Sequence, residues 1–162
     1  MKQTVDYVEM KVPAKAEYVG VVRLTSSGIA SRMGFSYEDI EDIKVAVSEA
    51  STNAIQHAYK EDEKTGEVLV GFSSYEDRLE IIISDHGQSF DSEEVRKKTG
   101  PYNAESPLED LREGGLGLFL IDTLMDKLQI NDDSGVIVIM TKYLNRDEVE
   151  HSGDTISTSQ TK

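Results

Sequence analysis

The 162-residue chain contains no cysteine, which excludes disulfides, thiolate metal sites and a cysteine nucleophile. A reducing compartment suits such a sequence, and the cytoplasm is the expected location. Cationic residues are scarce: 17 Lys and Arg stand against 31 Asp and Glu, a formal net charge of -14. That balance argues against a broad nucleic-acid surface, because phosphate backbones need positive groups opposite them. It suits a partner with a basic face. Any anionic ligand must then be held by a metal ion, a helix N-terminus or a few local cations. Long apolar runs are missing too. MKQTVDYVEM at the start holds no signal-peptide core, and no window reaches the length of a membrane span, so no membrane partner is expected.

The residues present suffice for one core under a charged surface, with 38% hydrophobic and 30% charged residues. VDYVEMKV alternates as a strand that Pro13 ends. From Ala14 to about Met33, Val19, Val22, Leu24, Ile29 and Met33 fit a helix stopped by Gly34. Ser36 is placed to cap a second helix, with acidic residues in its first turn. On that helix Ile40, Ile43, Val47, Ala50 and Ala54 form one apolar stripe. VLVGFSSY and RLEIIISD read as a hairpin. Residues 86–113 form a long glycine- and proline-punctuated loop of the kind that serves as a lid. GGLGLFLIDTLMDKL opens a helix directly after glycines, and QIN and VIVIMTKYL make a last strand pair. The folded domain is expected over 1–144, with the polar 145–162 as a disordered tail. The order predicts an α+β fold, a largely antiparallel sheet with helices on one face.

Three stretches carry chemistry. In SEASTNAIQHAY, Glu49, Asn53 and His57 follow one another at four-residue steps beside the apolar stripe. The carboxylate suits a general base and the amide oxygen a hard metal ligand; the row reads equally as the polar edge of an amphipathic helix. In IIISDHGQSF a hydrophobic strand ends in Asp85, followed by His86 and Gly87. A carboxylate at a strand's buried end needs a donor, either a backbone amide or the exocyclic amine of a purine, and Gly87 lets the chain approach a flat ring. A turn-forming Asp-x-Gly is the plainer alternative. GGLGLFLI presents bare backbone N–H groups at a helix start, a way to hold phosphate without lysine, or simply the end of a loop. It is neither a P-loop nor a dinucleotide fingerprint. Together the three are the parts of a nucleotide site with a magnesium bridge to the phosphates.

EASTNAIQHA resembles the N box, DHG the first glycine box and GGLGL the second glycine box of the GHKL ATPase/kinase superfamily. Within it the chain is similar to the small anti-sigma-factor serine kinases, over about residues 5–144. The resemblance implies a Bergerat-type two-layer sandwich with a mixed, mostly antiparallel sheet, a homodimer, and ATP with Mg as cofactors. It implies two competing partners: a sigma factor of the sigma-B type, and an anti-anti-sigma factor phosphorylated on serine. Carried over, Glu49 is the base toward that serine and Asn53 the magnesium ligand. Asp85 reads the adenine amine with Gly87 beneath the ring, and Gly114, Gly115, Leu116 and Gly117 hold the phosphates. Many members carry Gly-Thr before the last strand, the Thr supporting the adenine-reading Asp; here Gly135-Val136 stands there, leaving that support to Thr141, to water or to nothing. Arg112 lies near a position where relatives place a γ-phosphate ligand, and His57 is expected to be a structural hydrogen-bonder. The rival to a kinase is a non-catalytic, ATP-dependent sigma-binding switch, which the intact N box disfavours. An ATP-hydrolysing clamp would need a further transducer domain, and a histidine kinase a preceding phospho-accepting helix.

Overall fold

A computed structural model describes residues 6–61, 66–85, 100–101, 115–131 and 137–144. Strand β1 (Asp6–Pro13) lies at one edge of the sheet, where the missing N–H of Pro13 costs little. A 3-10 turn at Ala16–Tyr18 leads into α1 (Val19–Met33), so the helix expected from Ala14 begins about a turn later. Gly34 ends α1 with φ 97°, a left-handed value that favours glycine, and Phe35 N–H reaches back to the Ala30 carbonyl at 3.2 Å. The next helix, α2 (Tyr37–Glu61), starts as expected: Asp39 N–H donates to Ser36 Oγ at 3.2 Å, and Glu38 and Asp39 face the positive end of the helix dipole.

The hairpin follows as β2 (Glu67–Ser74) and β3 (Arg78–Ser84). Then come β4 (Gly100–Pro101), α3 (Gly115–Leu124), β5 (Lys127–Asn131) and β6 (Ile137–Tyr143). The sheet order is β1-β2-β3-β6-β5-β4, and every pairing among the described strands is antiparallel. The fold is therefore α+β, as expected. β4 is an addition: two residues of the segment read as a loop pair with Gln129 and Ile130.

Two expectations are corrected. Leu24 does not face the core; it is 70% exposed, and Val22, Ser26 and Ala30 form the buried stripe of α1. Two helical steps rotate Leu24 by about 200° from Val22, so both cannot share one face. The helix expected to run through Leu128 stops at Leu124, because partners elsewhere in the fold replace its next turn. Asp126 N–H donates to the Thr141 carbonyl at 2.9 Å, and Lys142 Nζ donates to the Leu124 carbonyl at 2.6 Å. Lys142 also stands 3.6 Å from Asp42 and 3.8 Å from Asp39, so one cation joins β6, the end of α3 and the start of α2.

Helix α2 forms the main contact between the layers. Ile43, Val47, Ala50 and Ala54 share one buried cluster with Val70, Phe72, Ile81, Ile83, Val138 and Met140 of the sheet. Ala46, Ala50, Ala54 and Ala58 are small enough to let its backbone come close. Each fully buried Ile or Phe stabilises the core by roughly 1.5–3 kcal/mol. Leu69, Ile82 and Ile139 alternate onto the other side of the sheet and are also buried. The result is a rigid α2 whose flank, not its core stripe, is offered to the site.

Candidate functional site

Glu49, Asn53 and His57 lie along that flank, each half-buried. Successive members rise about 6 Å along the axis, so Glu49 and His57 are about 12 Å apart on it. A different element closes on each end of the row.

At the Glu49–Asn53 end, α3 arrives with its first turn. A Cβ built on Gly117 would stand 3.1 Å from Glu49 Oε2 and 3.3 Å from Asn53 Nδ2. A glycine there lets α3 come close to two polar side-chain tips that any side chain would crowd. Gly115 and Leu116 form the turn just before it. The positive end of the α3 dipole, where the first N–H groups have no carbonyl within the helix, is thus set beside a carboxylate and an amide.

At the His57 end, β3 runs out at Ser84 and delivers Asp85. The Asp85 side chain has no exposed surface, and His57 Nδ1 meets its Oδ2. An ionised carboxylate only accepts, so the Nδ1 position carries the proton and donates. His57 is the structural hydrogen-bonder the sequence suggested, and its partner is the strand-end acid. Thr141 cannot support Asp85. It sits opposite Glu80 in the β3–β6 register, while Ser84 faces Ile137. Five residues of strand place Thr141 roughly 16 Å from Asp85.

Gly87, Gly114, His86, Arg112, Gly135 and Val136 lie outside the described residues. Among the described residues no group of three or more His, Asp or Glu side chains forms a metal cage. The donor set at the row is one amide oxygen, Asn53 Oδ1, beside the Glu49 carboxylate. Such hard and sparse donors fit magnesium, which keeps waters and shares phosphate oxygens instead of filling its shell from protein. What sequence reasoning missed is how the pieces meet: Gly117 packs on Glu49 and Asn53, and Asp85 is anchored to the same helix by His57. The i, i+4, i+8 spacing was the visible signal for the second.

A carboxylate and an amide on the flank of one helix, a glycine-started helix set against them and a buried acid farther along the row, all on an antiparallel sheet, suit a nucleotide-binding ATPase fold of the kinase type. The chain belongs to the histidine kinase-like ATPase domain family, whose model matches residues 12–142. It is similar to a protein named Serine-protein kinase RsbW from Oceanobacillus iheyensis, 61% identical over 96% of this chain and 98% of the relative. A protein of the same name from Bacillus licheniformis is 58% identical over 99% of both chains. One from Bacillus cereus is 56% identical over 98% of both. Among solved structures, one of the RsbU and RsbW domains of a Mycobacterium tuberculosis protein superposes with a TM-score of 0.60 at 20% identity. It matches 86% of this chain and 32% of that longer chain, a likeness of fold. No helix among the described residues is long and apolar enough to cross a membrane.

Proposed function

We propose that the chain is an ATP-dependent serine-protein kinase that also sequesters a sigma factor of the sigma-B type. Its substrate is a serine of that factor's anti-anti-sigma antagonist. The observation that carries this reading is the closing of two elements on one row: Gly117 against Glu49 and Asn53, and Asp85 against His57. A nucleotide laid along α2 has its base at the Asp85 end and its phosphates at the α3 end. The relatives, 56–61% identical and carrying the name serine-protein kinase, support the same chemistry.

ATP supplies the phosphoryl group, and magnesium, held through Asn53 Oδ1, neutralises phosphate charge that a protein of net charge -14 would otherwise repel. Glu49 orients the partner's serine hydroxyl and takes its proton. Asp85 accepts from the amine of adenine, with Gly87 beneath the ring. The amides of Gly114, Gly115, Leu116 and Gly117 face the phosphates as the positive end of α3. Transfer of this kind depends mostly on positioning and charge neutralisation. The kinase domain spans 1–144, with the lid over 86–113 and a polar tail beyond. The protein works in the cytoplasm as a homodimer, without nucleic acid or membrane.

The test is incubation of wild type and Glu49→Ala with labelled ATP, magnesium and the serine-bearing partner. Phosphoserine is expected with wild type only, while the variant still binds nucleotide. Loss of both transfer and binding would overturn Glu49 as the base. No transfer by wild type, together with nucleotide-dependent sigma binding, would make the site a switch that performs no chemistry.

A further inference from the structure

We infer that His57 is a positioning residue for base recognition: its Nδ1–H fixes the Asp85 carboxylate so that the carboxylate accepts from the exocyclic amine of adenine. This rests on Asp85 being the reader of the base, as proposed above. Three observations carry it. The Asp85 side chain has no exposed surface while the His57 ring is 39% exposed, so the contact lies at the inner end of the site. Rotation about the last bond of an aspartate is soft, and an acceptor that rotates freely recognises a donor poorly. A donor held on a rigid helix removes that freedom. Finally, Thr141 is opposite Glu80, too far along the strand to do this work.

The partners lie 28 residues apart in sequence, yet His57 shares its helix with Glu49 and Asn53. One rod therefore sets both the base-reading acid and the groups at the phosphate end. The chemistry gives the direction of selection. Adenine presents an N–H donor to the fixed carboxylate, whereas guanine presents a carbonyl oxygen, an acceptor facing an acceptor.

The experiment compares affinity, in the presence of magnesium, for ATP and for purine riboside triphosphate, which lacks only the amine. The proteins are wild type, His57→Ala, His57→Leu and His57→Asn. Wild type should prefer ATP by at least about tenfold, the scale of a hydrogen bond to a charged group. The Ala and Leu variants cannot donate, and should lose most of that preference by binding ATP more weakly while holding the analogue almost unchanged. His57→Asn places an amide nitrogen near the Nδ1 position and should retain the preference. An ATP preference that survives in the Ala and Leu variants overturns the role of His57 alone. An equal loss of both nucleotides also overturns it, since that marks a part of the fold and not of recognition. No preference in wild type overturns the reading of Asp85, and this inference with it.

Discussion

Substituting Gly117 by alanine separates stability from function at a single atom. The added Cβ would meet Glu49 Oε2 at 3.1 Å and Asn53 Nδ2 at 3.3 Å. Favourable contacts of this kind lie at about 3.5 Å or beyond, so the Glu49 tip must retreat by about 0.4 Å and the Asn53 tip by about 0.2 Å. Both are ends of side chains, not backbone, and they yield without disturbing the helices. Alanine in place of glycine in a helix favours folding by up to about 1 kcal/mol, and crowding offsets about the same amount. The unfolding free energy should stay within about 1 kcal/mol of wild type, a change of about 2–4 °C in midpoint for a chain this size. Transfer is a different matter. A misplacement of about 1 Å costs on the order of 100-fold, so about 0.4 Å on the proposed base implies a fall of about sixfold. Complete displacement of the carboxylate would reach the loss expected on removing Glu49. The assay is phosphorylation of the serine partner at saturating ATP, beside thermal unfolding of the same sample. Wild-type turnover in a normally folded variant would refute the reasoning, because it would mean the carboxylate against Gly117 does not have to stay where it is. A destabilisation beyond about 3 kcal/mol would refute it differently, by showing that the new methyl meets something that cannot move.

Other outcomes follow from single contacts. Lys142→Met keeps the buried stem but removes the donor to the Leu124 carbonyl and the cation near Asp39 and Asp42; urea unfolding should show a loss of about 1–3 kcal/mol. Unchanged stability would mean that the end of α3 is held by other contacts. Ser51 is fully buried on α2, and its Oγ has no hydrogen-bond partner among the described residues. Ser51→Ala should therefore be neutral or stabilise by up to about 1 kcal/mol, and a clear loss would show that the hydroxyl is bonded. Glu41 is held below its ordinary pKa of 4.5 by the Tyr37 hydroxyl first and by Lys44 next. A lowered folded pKa contributes stability that is present above the unfolded value and is lost as pH falls through the folded one. Glu41→Gln should thus lower stability slightly at neutral pH and flatten the acid side of the stability profile, measured by denaturation from pH 3 to 7; an unchanged profile would show that the pairing contributes nothing.

The amino-acid sequence by itself determined what depends on a window of ten or so residues. Ser36 before an acidic turn starts α2, and Gly34 stops α1, because caps are local chemistry. The stripe of Ile43, Val47, Ala50 and Ala54 fixes which face of α2 is buried, and hence that Glu49, Asn53 and His57 flank it. Alternating β-rich runs around a charged turn are enough to mark the hairpin. The order of these elements set the α+β class, and the resemblance of three short motifs narrowed it to a Bergerat-type sandwich.

Contacts between distant residues were decided only by the tertiary structure. α3 ends at Leu124 because Lys142 and the Thr141 carbonyl, more than ten residues onward, take the groups that another helical turn would have used. Asp85 is gripped by His57 and not by Thr141, because the antiparallel register of β3 and β6 carries Thr141 away from the strand's end. A side chain at Gly117 would crowd Glu49 and Asn53, which face it from another helix, a closeness no local pattern records. Periodicity assigns a residue to a face; the packing of one element on another chooses its neighbour, and at this site the neighbour sets the chemistry.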